Sequence, residues 1–353
     1  MAYAIKTDFT GAAEPRKKHS VKPATILNAV REIFSLLLLV AAAVLFSANG
    51  KYRSATLNGI SLWAATVLPA LFPYLVITAL ISSLKITQTV ASALSPVCKK
   101  LFGVNGNVGY ALFLSLISGY PVGAKIVAEL KSDGFISHTE AQRAAALCSS
   151  SSPAFLIGSV GGLIFNDRFF GLCLFITHLV SVFAVGFVFS FYKRKDRPTE
   201  TRRTPSARRS SETENDALLY RSVYSSVISA LVVGGIITVF YVITEMLADL
   251  NAINPVADFL GLFIKDEKTA YGAATGLFEC TKGIKIIAES DLNFFTLPVC
   301  AALCGFGGVS VIAQSLAYLK KAKIKTAPFL LSKTLAALIN FCIGSVFSLI
   351  FFF

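Results

Sequence analysis

The chain has 353 residues, is 54% hydrophobic and only 15% charged, and carries a formal net charge of +13; a soluble domain has roughly one quarter charged residues. That balance, with apolar runs such as "IFSLLLLVAAAVLFSA" (33–48) and "ALINFCIGSVFSLIFFF" (337–353), excludes a water-soluble globular protein and points to membrane-spanning helices. The basic excess clusters between apolar segments and matches no nucleic-acid motif, which excludes nucleic acid as a partner and marks cytoplasmic loops.

Residues 1–30 form a polar basic tail with "RKKH" at 16–19. A first span is expected at 31–48, retained because no small-x-small cleavage site follows it. A second span at 57–83 is expected to kink at Pro69 and Pro73. The stretch 86–103 is amphipathic, with Lys85, Lys99 and Lys100 at its ends, and reads as an interfacial helix. Next, "GYALFLSLISGYPVGAKIVAEL" (109–130) is interrupted by Gly119, Pro121 and Gly123. Each arm has about ten residues, or about 15 Å at the helical rise, which is half a bilayer. The pattern predicts two half-helices in a re-entrant hairpin. The segment 140–165 is long enough to span but contains "SSSSP" at 149–153, a poor helix, and a span at 169–192 follows.

A polar linker at 193–220, basic and rich in Ser, Thr and Pro, divides the chain and reads as disordered. Beyond it come a span at 221–247, an interfacial candidate at 252–264 and an interrupted segment at 269–288. A span at 293–319 is broken by "GFGG" (305–308), and a last span covers 326–353. "GAKIVAE" (123–129) returns as "GIKIIAE" (283–289), and "AALC" (145–148) returns at 301–304. Two matches in the same order, inside elements of the same type, predict a duplication of 57–192 as 221–353. With the tail and the linker in the cytoplasm, "KKAKIK" (320–325) also falls inside and the acidic 249–268 region outside; Lys51 and Arg53 are mild exceptions. Three crossings per half then turn the halves opposite ways. The expected fold is an all-α integral membrane protein with an inverted repeat, seven spans, two of them broken, two re-entrant hairpins and the C-terminus outside.

In that arrangement the tips 118–123 and 278–283 meet the breaks 149–153 and 305–308. Broken backbone at membrane depth is tolerated where it is buried in protein or lines a polar cavity. Half-helix N-termini there present free N–H groups and partial positive charge. The candidate substrate site is Gly119, Tyr120, Pro121, Gly123 and Lys125 from the first tip and Ser149, Ser150, Ser151 and Ser152 from the first break. The second half contributes Glu279, Lys282 and Lys285 from its tip and Gly305, Gly307 and Gly308 from its break. Pro121 suits the first helical turn, and Lys125 one turn on favours an anionic group. An acid at the bilayer centre needs a partner or a protonation role, and Lys282 and Lys285 are close to Glu279 along the chain. The blander readings stay open: Lys125 and Lys285 snorkel to an interface, Glu129 and Glu289 are solvated, and the serines satisfy a kinked helix. His178 reads as a hydrogen-bonded packing residue, and the side that Lys333 faces is open. The seven cysteines contain no CxxC pair and read as apolar packing residues, with no disulfide, metal or cofactor expected.

At "SGYPVGAK" (118–125) and "LCSSSSPAFLIGSVGG" (147–162) the sequence resembles the nucleoside-recognition Gate domain proteins, specifically the YlbJ type of sporulation integral membrane proteins, over roughly 30–350. Gate domains are shared with concentrative nucleoside transporters, whose inverted repeats contain an interfacial helix, a re-entrant hairpin and a partly unwound span. The resemblance implies a role in the mother-cell membrane around the forespore of an endospore-forming bacterium, in moving dipicolinic acid toward the forespore. Dipicolinate is a small aromatic dianion, suited to lysines, helix N-termini and hydroxyls. The leading expectation is a secondary transporter of a small organic anion. The alternatives are a nucleoside or other small-solute transporter and a structural protein of spore assembly. No catalytic pairing points to an enzyme. No Walker A motif provides direct ATP drive, and coupling to H⁺ or Na⁺ is left open.

Overall fold

The computed structural model describes scattered residues between 32 and 40, and then residues 42–83, 86–194 and 218–353. The expected tail at 1–30, much of the expected first span at 31–48 and the interior of the linker lie outside the described residues. The chain divides into two units, Met1–Tyr52 and Arg53–Phe353; everything that follows concerns the second.

The described structure is helical throughout. Helix α1 (Asn49–Leu62) passes through π-helical turns at Trp63–Val67 into α2 (Leu68–Ser83). The π-turn lies just ahead of Pro69, whose missing N–H removes one rung of the α-helical ladder. Helix α3 (Ile86–Leu101) ends in Lys99 and Lys100. A first hairpin follows, α4 (Asn107–Ser118) and α5 (Val122–Ser132). Then α6 (His138–Leu147) is separated by an unwound stretch from the π-helical α7 (Ala154–Ile164), and α8 (Arg168–Ser190) closes the first series. The second series has the same order. It runs through α9 (Leu218–Asp249), α10 (Asn254–Gly261), the hairpin α11 (Glu267–Gly276) and α12 (Cys280–Ile287), the broken pair α13 (Thr296–Phe306) and α14 (Gly308–Lys321), and α15 (Thr326–Phe351).

Among the described residues five helical stretches are long and apolar enough to cross a membrane: Gly50–Ser82, Arg168–Ser190, Leu218–Asp249, Thr296–Lys321 and Thr326–Phe351. The span expected at 140–165 is instead two short helices, because 148–153 is not helical. Large apolar side chains such as Leu231, Val239, Leu338 and Leu349 stand exposed on the outer faces of α9 and α15, where lipid rather than water suits them.

Polar side chains fix where helices begin. Ser137 and Glu140 form a capping box at α6, Asp167 accepts from the N–H groups of Phe169 and Phe170, and Asp266 accepts from that of Thr269. Arg143 sits on α6 as expected near a span end, and there it donates to the carbonyls of Gly103, Tyr192 and Lys193. It thereby ties the C-terminal end of α8 to the turn before α4. Close contact between α13 and α15 depends on small residues: a Cβ at Gly344 would stand 2.8 Å from Pro298 Cα, and Ser348 donates to the Phe294 carbonyl. One apolar cluster gathers α4, α5 and α6 with residues of α14; another gathers α7, α8, α11, α12 and α13.

Candidate functional site

Each hairpin and each broken pair interrupts its helix for a visible reason. After Ser118, Gly119 takes φ +73°, a left-handed conformation natural only to glycine, and the Tyr120–Pro121 peptide is cis. A Cβ at Gly119 would lie 2.7 Å from the backbone nitrogen of Ser152, so tip and break touch through bare backbone. Gly307 turns α13 into α14 at φ +85°. The N–H groups of Val309 and Ser310 then donate to the carbonyls of Leu277 and Phe278, joining the second break to the second tip.

All four interruptions line one cavity of about 70 Å³, formed by Gly119 and Tyr120, by Ser151 and Ser152, by Glu279 and Cys280, and by Cys304 and Gly307. Residues of α2, α9 and α14, among them Leu71, Val233 and Gln314, complete it. Water occupies about 30 Å³ in the liquid, so this space holds about two waters and is too small for a ring-sized solute in this conformation. Gln314 and Val233 also line a neighbouring polar vestibule of about 640 Å³ with Lys125, Glu129, Asp133, Ser225, Ser226 and Tyr318. The vestibule lies toward the ends of α5 and α14, the face that carries Lys131, Lys320 and Lys321.

Behind the cavity wall stands Lys333, which is 1% exposed. Its ammonium lies 2.5 Å from the Tyr120 hydroxyl and 3.3 Å from Ser149 Oγ, and it sits over the Tyr120 ring at 4.2 Å. The Tyr120 hydroxyl is also within 3.3 Å of the Ser149 carbonyl and 3.4 Å of the Cys304 carbonyl. One lysine from α15 thus reaches the first tip, the first break and the end of α13. His178, expected as a hydrogen-bonded packing residue, accepts from the Ser151 N–H through Nε2 at 2.9 Å. It holds an unwound N–H that would otherwise be buried without a partner.

Glu279 is also 1% exposed, and its carboxylate caps α12 by accepting from the Lys282 N–H at 2.6 Å. The side chain of Lys282 leaves the cavity. It pairs with Glu245 at 2.8 Å, donates to Thr244 Oγ1 at 2.6 Å and lies over the Tyr241 ring, all on α9.

Several expectations therefore change. Lys125 lines the vestibule, with Pro121, and not the cavity. Lys285 is exposed and makes no part of the cavity. Both follow from helical geometry: residues two apart point about 200° away from each other. Gly123 and Gly283 face inward, against Cys148 and against Gly272 and Gly276, so Lys125 and Lys285 face away. Lys282 binds α9, not Glu279's carboxylate. Ser150 turns its hydroxyl to the Ser151 carbonyl, and Ser149 holds Lys333 one layer behind the wall. Gly305 packs on Ala336 and Asn340 of α15, and Gly308 packs on the second tip. Gly119, Tyr120, Ser151, Ser152, Glu279 and Gly307 do meet. Lys333 and Glu245 carry no sequence signal beyond being charges within apolar helices, which is itself a pointer to a function.

The Gate nucleoside-recognition family model matches residues 64–193, the first series with its hairpin and break. The Bacillus subtilis (strain 168) sporulation integral membrane protein YlbJ is 30% identical over 326 residues, which cover 86% of this chain and 79% of that protein. Among solved structures, CNTnw in an inward-facing substrate-bound state superposes with a TM-score of 0.55 at 14% identity, covering 92% of this chain and 87% of its own. A CNTnw variant in an outward-facing state gives 0.53 at 14% identity over the same shares. At that identity the likeness is one of fold: the concentrative nucleoside transporter fold. The chain is a multi-pass, transporter-like membrane protein and belongs to the YlbJ family of sporulation integral membrane proteins.

Proposed function

We propose that this protein is a secondary carrier, not an enzyme, that moves a small organic anion through the cavity where the four interruptions meet. The observation that carries this reading is the charge arrangement there. The N-terminal ends of α5, α7, α12 and α14 begin at the four interruptions, and Lys333 stands behind them. Helix N-termini and a buried lysine favour a carboxylate. Glu279 offsets part of that field but is engaged with its own helix. We take the two series as an inverted pair, with both hairpins re-entrant. With the basic faces of Lys131 and Lys320 in the cytoplasm, together with the N-terminal tail, the vestibule is the cytoplasmic approach to the site.

The relative's printed role in sporulation supports dipicolinate as the anion and the mother-cell membrane around the forespore as the setting. A second reading, a nucleoside or other small neutral solute, is supported by the Gate match and by the fold of CNTnw. The two separate in a vesicle assay. The purified protein in liposomes is given labelled dipicolinate, glutamate or uridine. The anion reading expects dipicolinate uptake that Gly119→Val abolishes, because a side chain there strikes Ser152. Uptake of uridine with none of dipicolinate would overturn it.

A further inference from the structure

We propose that Lys333 takes up and releases one proton in each transport cycle, so that the anion crosses with a proton; this rests on the anion-carrier reading. The first support is isolation. Lys333 is fully buried, and among the described residues no carboxylate lies within ion-pair distance of it; its partners are the hydroxyls of Tyr120 and Ser149. A buried ammonium without a counter-charge is unfavourable, so the charged form waits for an anion and the neutral amine suits the site without one.

The second support is that its surroundings accept both forms. With a charged lysine, Nζ donates to the Tyr120 oxygen, and the Tyr120 hydroxyl turns its own proton to the Ser149 or Cys304 carbonyl. With a neutral lysine, the same hydroxyl rotates and donates to the Nζ lone pair. No heavy atom has to move between the two states.

The other titratable groups facing Lys333 are few. Cys304 comes from α13, Cys280 from α12, His178 from α8 and Tyr120 from the first tip. The His178 Nε2 already accepts from Ser151 and the Glu279 carboxylate already caps α12, so neither is the natural counter-ion. Tyr120 lines the cavity that adjoins the vestibule, so proton and anion share one route. The balance is simple: a proton leaves water on one side, bonds to Nζ as the anion arrives, and returns to water on the other side.

The test uses the full chain in liposomes with the membrane potential clamped, labelled dipicolinate outside and a pH-sensitive dye inside. At one proton per anion, a one-unit pH gradient, acid outside, should drive about tenfold accumulation of the label, with matching internal acidification. Lys333→Arg keeps a charge that does not leave at neutral pH. That variant should still bind labelled dipicolinate but lose the tenfold accumulation. Label that enters without acidification and ignores the gradient would overturn proton coupling and leave the anion reading standing. Coupling that persists in Lys333→Arg would overturn the role of Lys333. No entry of dipicolinate at all would overturn both readings. The wild-type measurement decides coupling even if the arginine variant does not fold.

Discussion

The two hairpins share a sequence repeat and differ in what their tips do. The first tip carries no charge of its own and borrows one: Tyr120 is met by Lys333 from α15. The second tip carries its own acid, spends it on capping α12, and sends its lysine to α9. The first tip is therefore held by the charge it presents to the cavity, and the second by internal bonds and a link to a neighbouring helix. What the copies keep in common is close packing, through Gly123 in one and Gly283 in the other.

Replacing each tip's lysine partner by methionine should break this comparison most sharply. Lys333→Met removes a buried charge that has no counter-ion, and a well-packed apolar replacement for such a group is often neutral or stabilising. Thermal stability in detergent should hold or rise while dipicolinate uptake falls by at least about 100-fold, the scale of one lost charged contact. Lys282→Met leaves Glu245 on a half-exposed site and should cost about 1 kcal/mol of stability with uptake reduced only a few-fold. Equal loss of transport in the two variants would show that the tips do not differ as described.

The shared glycines sharpen the same comparison from the side of packing. A Cβ at Gly123 would land on the Cys148 carbonyl oxygen, and one at Gly283 on Gly272 and Gly276. Those obstacles are backbone, which yields less easily than a side-chain tip. Alanine at either position should cost about 1–3 kcal/mol, read as a lowered melting temperature, and should affect the two hairpins alike. Alanine at Gly235, where the added atom meets nothing within 4 Å, is the control and should leave stability unchanged or slightly raised.

These glycines also show how far the sequence could be read. Hydropathy and the Gly, Pro and Ser interruptions locate the helices and all four breaks, because both are local properties of the chain. The conspicuous feature of "GAKIVAE" is its lysine, yet its structural content lies in the glycine two residues earlier. Which of the two faces inward depends on the partner helix, and that is a tertiary fact. Lys333 shows the same limit: it lies within the long apolar helix α15, and only the packing of α13 against that helix turns it toward Tyr120. The Lys282–Glu245 pair joins residues far apart in the chain, with no motif to link them.

A smaller effect separates the acid of the second tip from the site charge. Glu279→Ala removes the cap from α12 and leaves the Lys282 N–H without its acceptor, for about 1 kcal/mol of stability. Glu279→Gln keeps a side-chain acceptor and should recover most of that. If transport follows stability across the two variants, the acid is structural. If the glutamine variant is stable and inactive, the negative charge itself serves the site, and the contrast between the tips is narrower than drawn.

The smallest effect lies where the hairpins begin. Helix α4 starts after Gly106 without a side-chain cap, whereas α11 starts at Asp266, whose carboxylate accepts from the Thr269 N–H at 2.7 Å. Hydrogen bonds from Thr269 hold the Asp266 carboxyl below its ordinary range. A carboxyl that is more acidic folded than unfolded stabilises the fold above the unfolded value, about 3.9, and that contribution is lost as pH falls through the folded value. Acid should therefore loosen the second hairpin before the first, seen as faster hydrogen exchange, corrected for intrinsic rate, in α11 than in α4 between neutral pH and pH about 3. Asp266→Ala should show the loosened α11 already at neutral pH, at a cost of about 1 kcal/mol, and little further change on acidification. Equal acid sensitivity of α11 in wild type and variant would place the cause elsewhere, because Asp266 would then contribute nothing that protonation can remove.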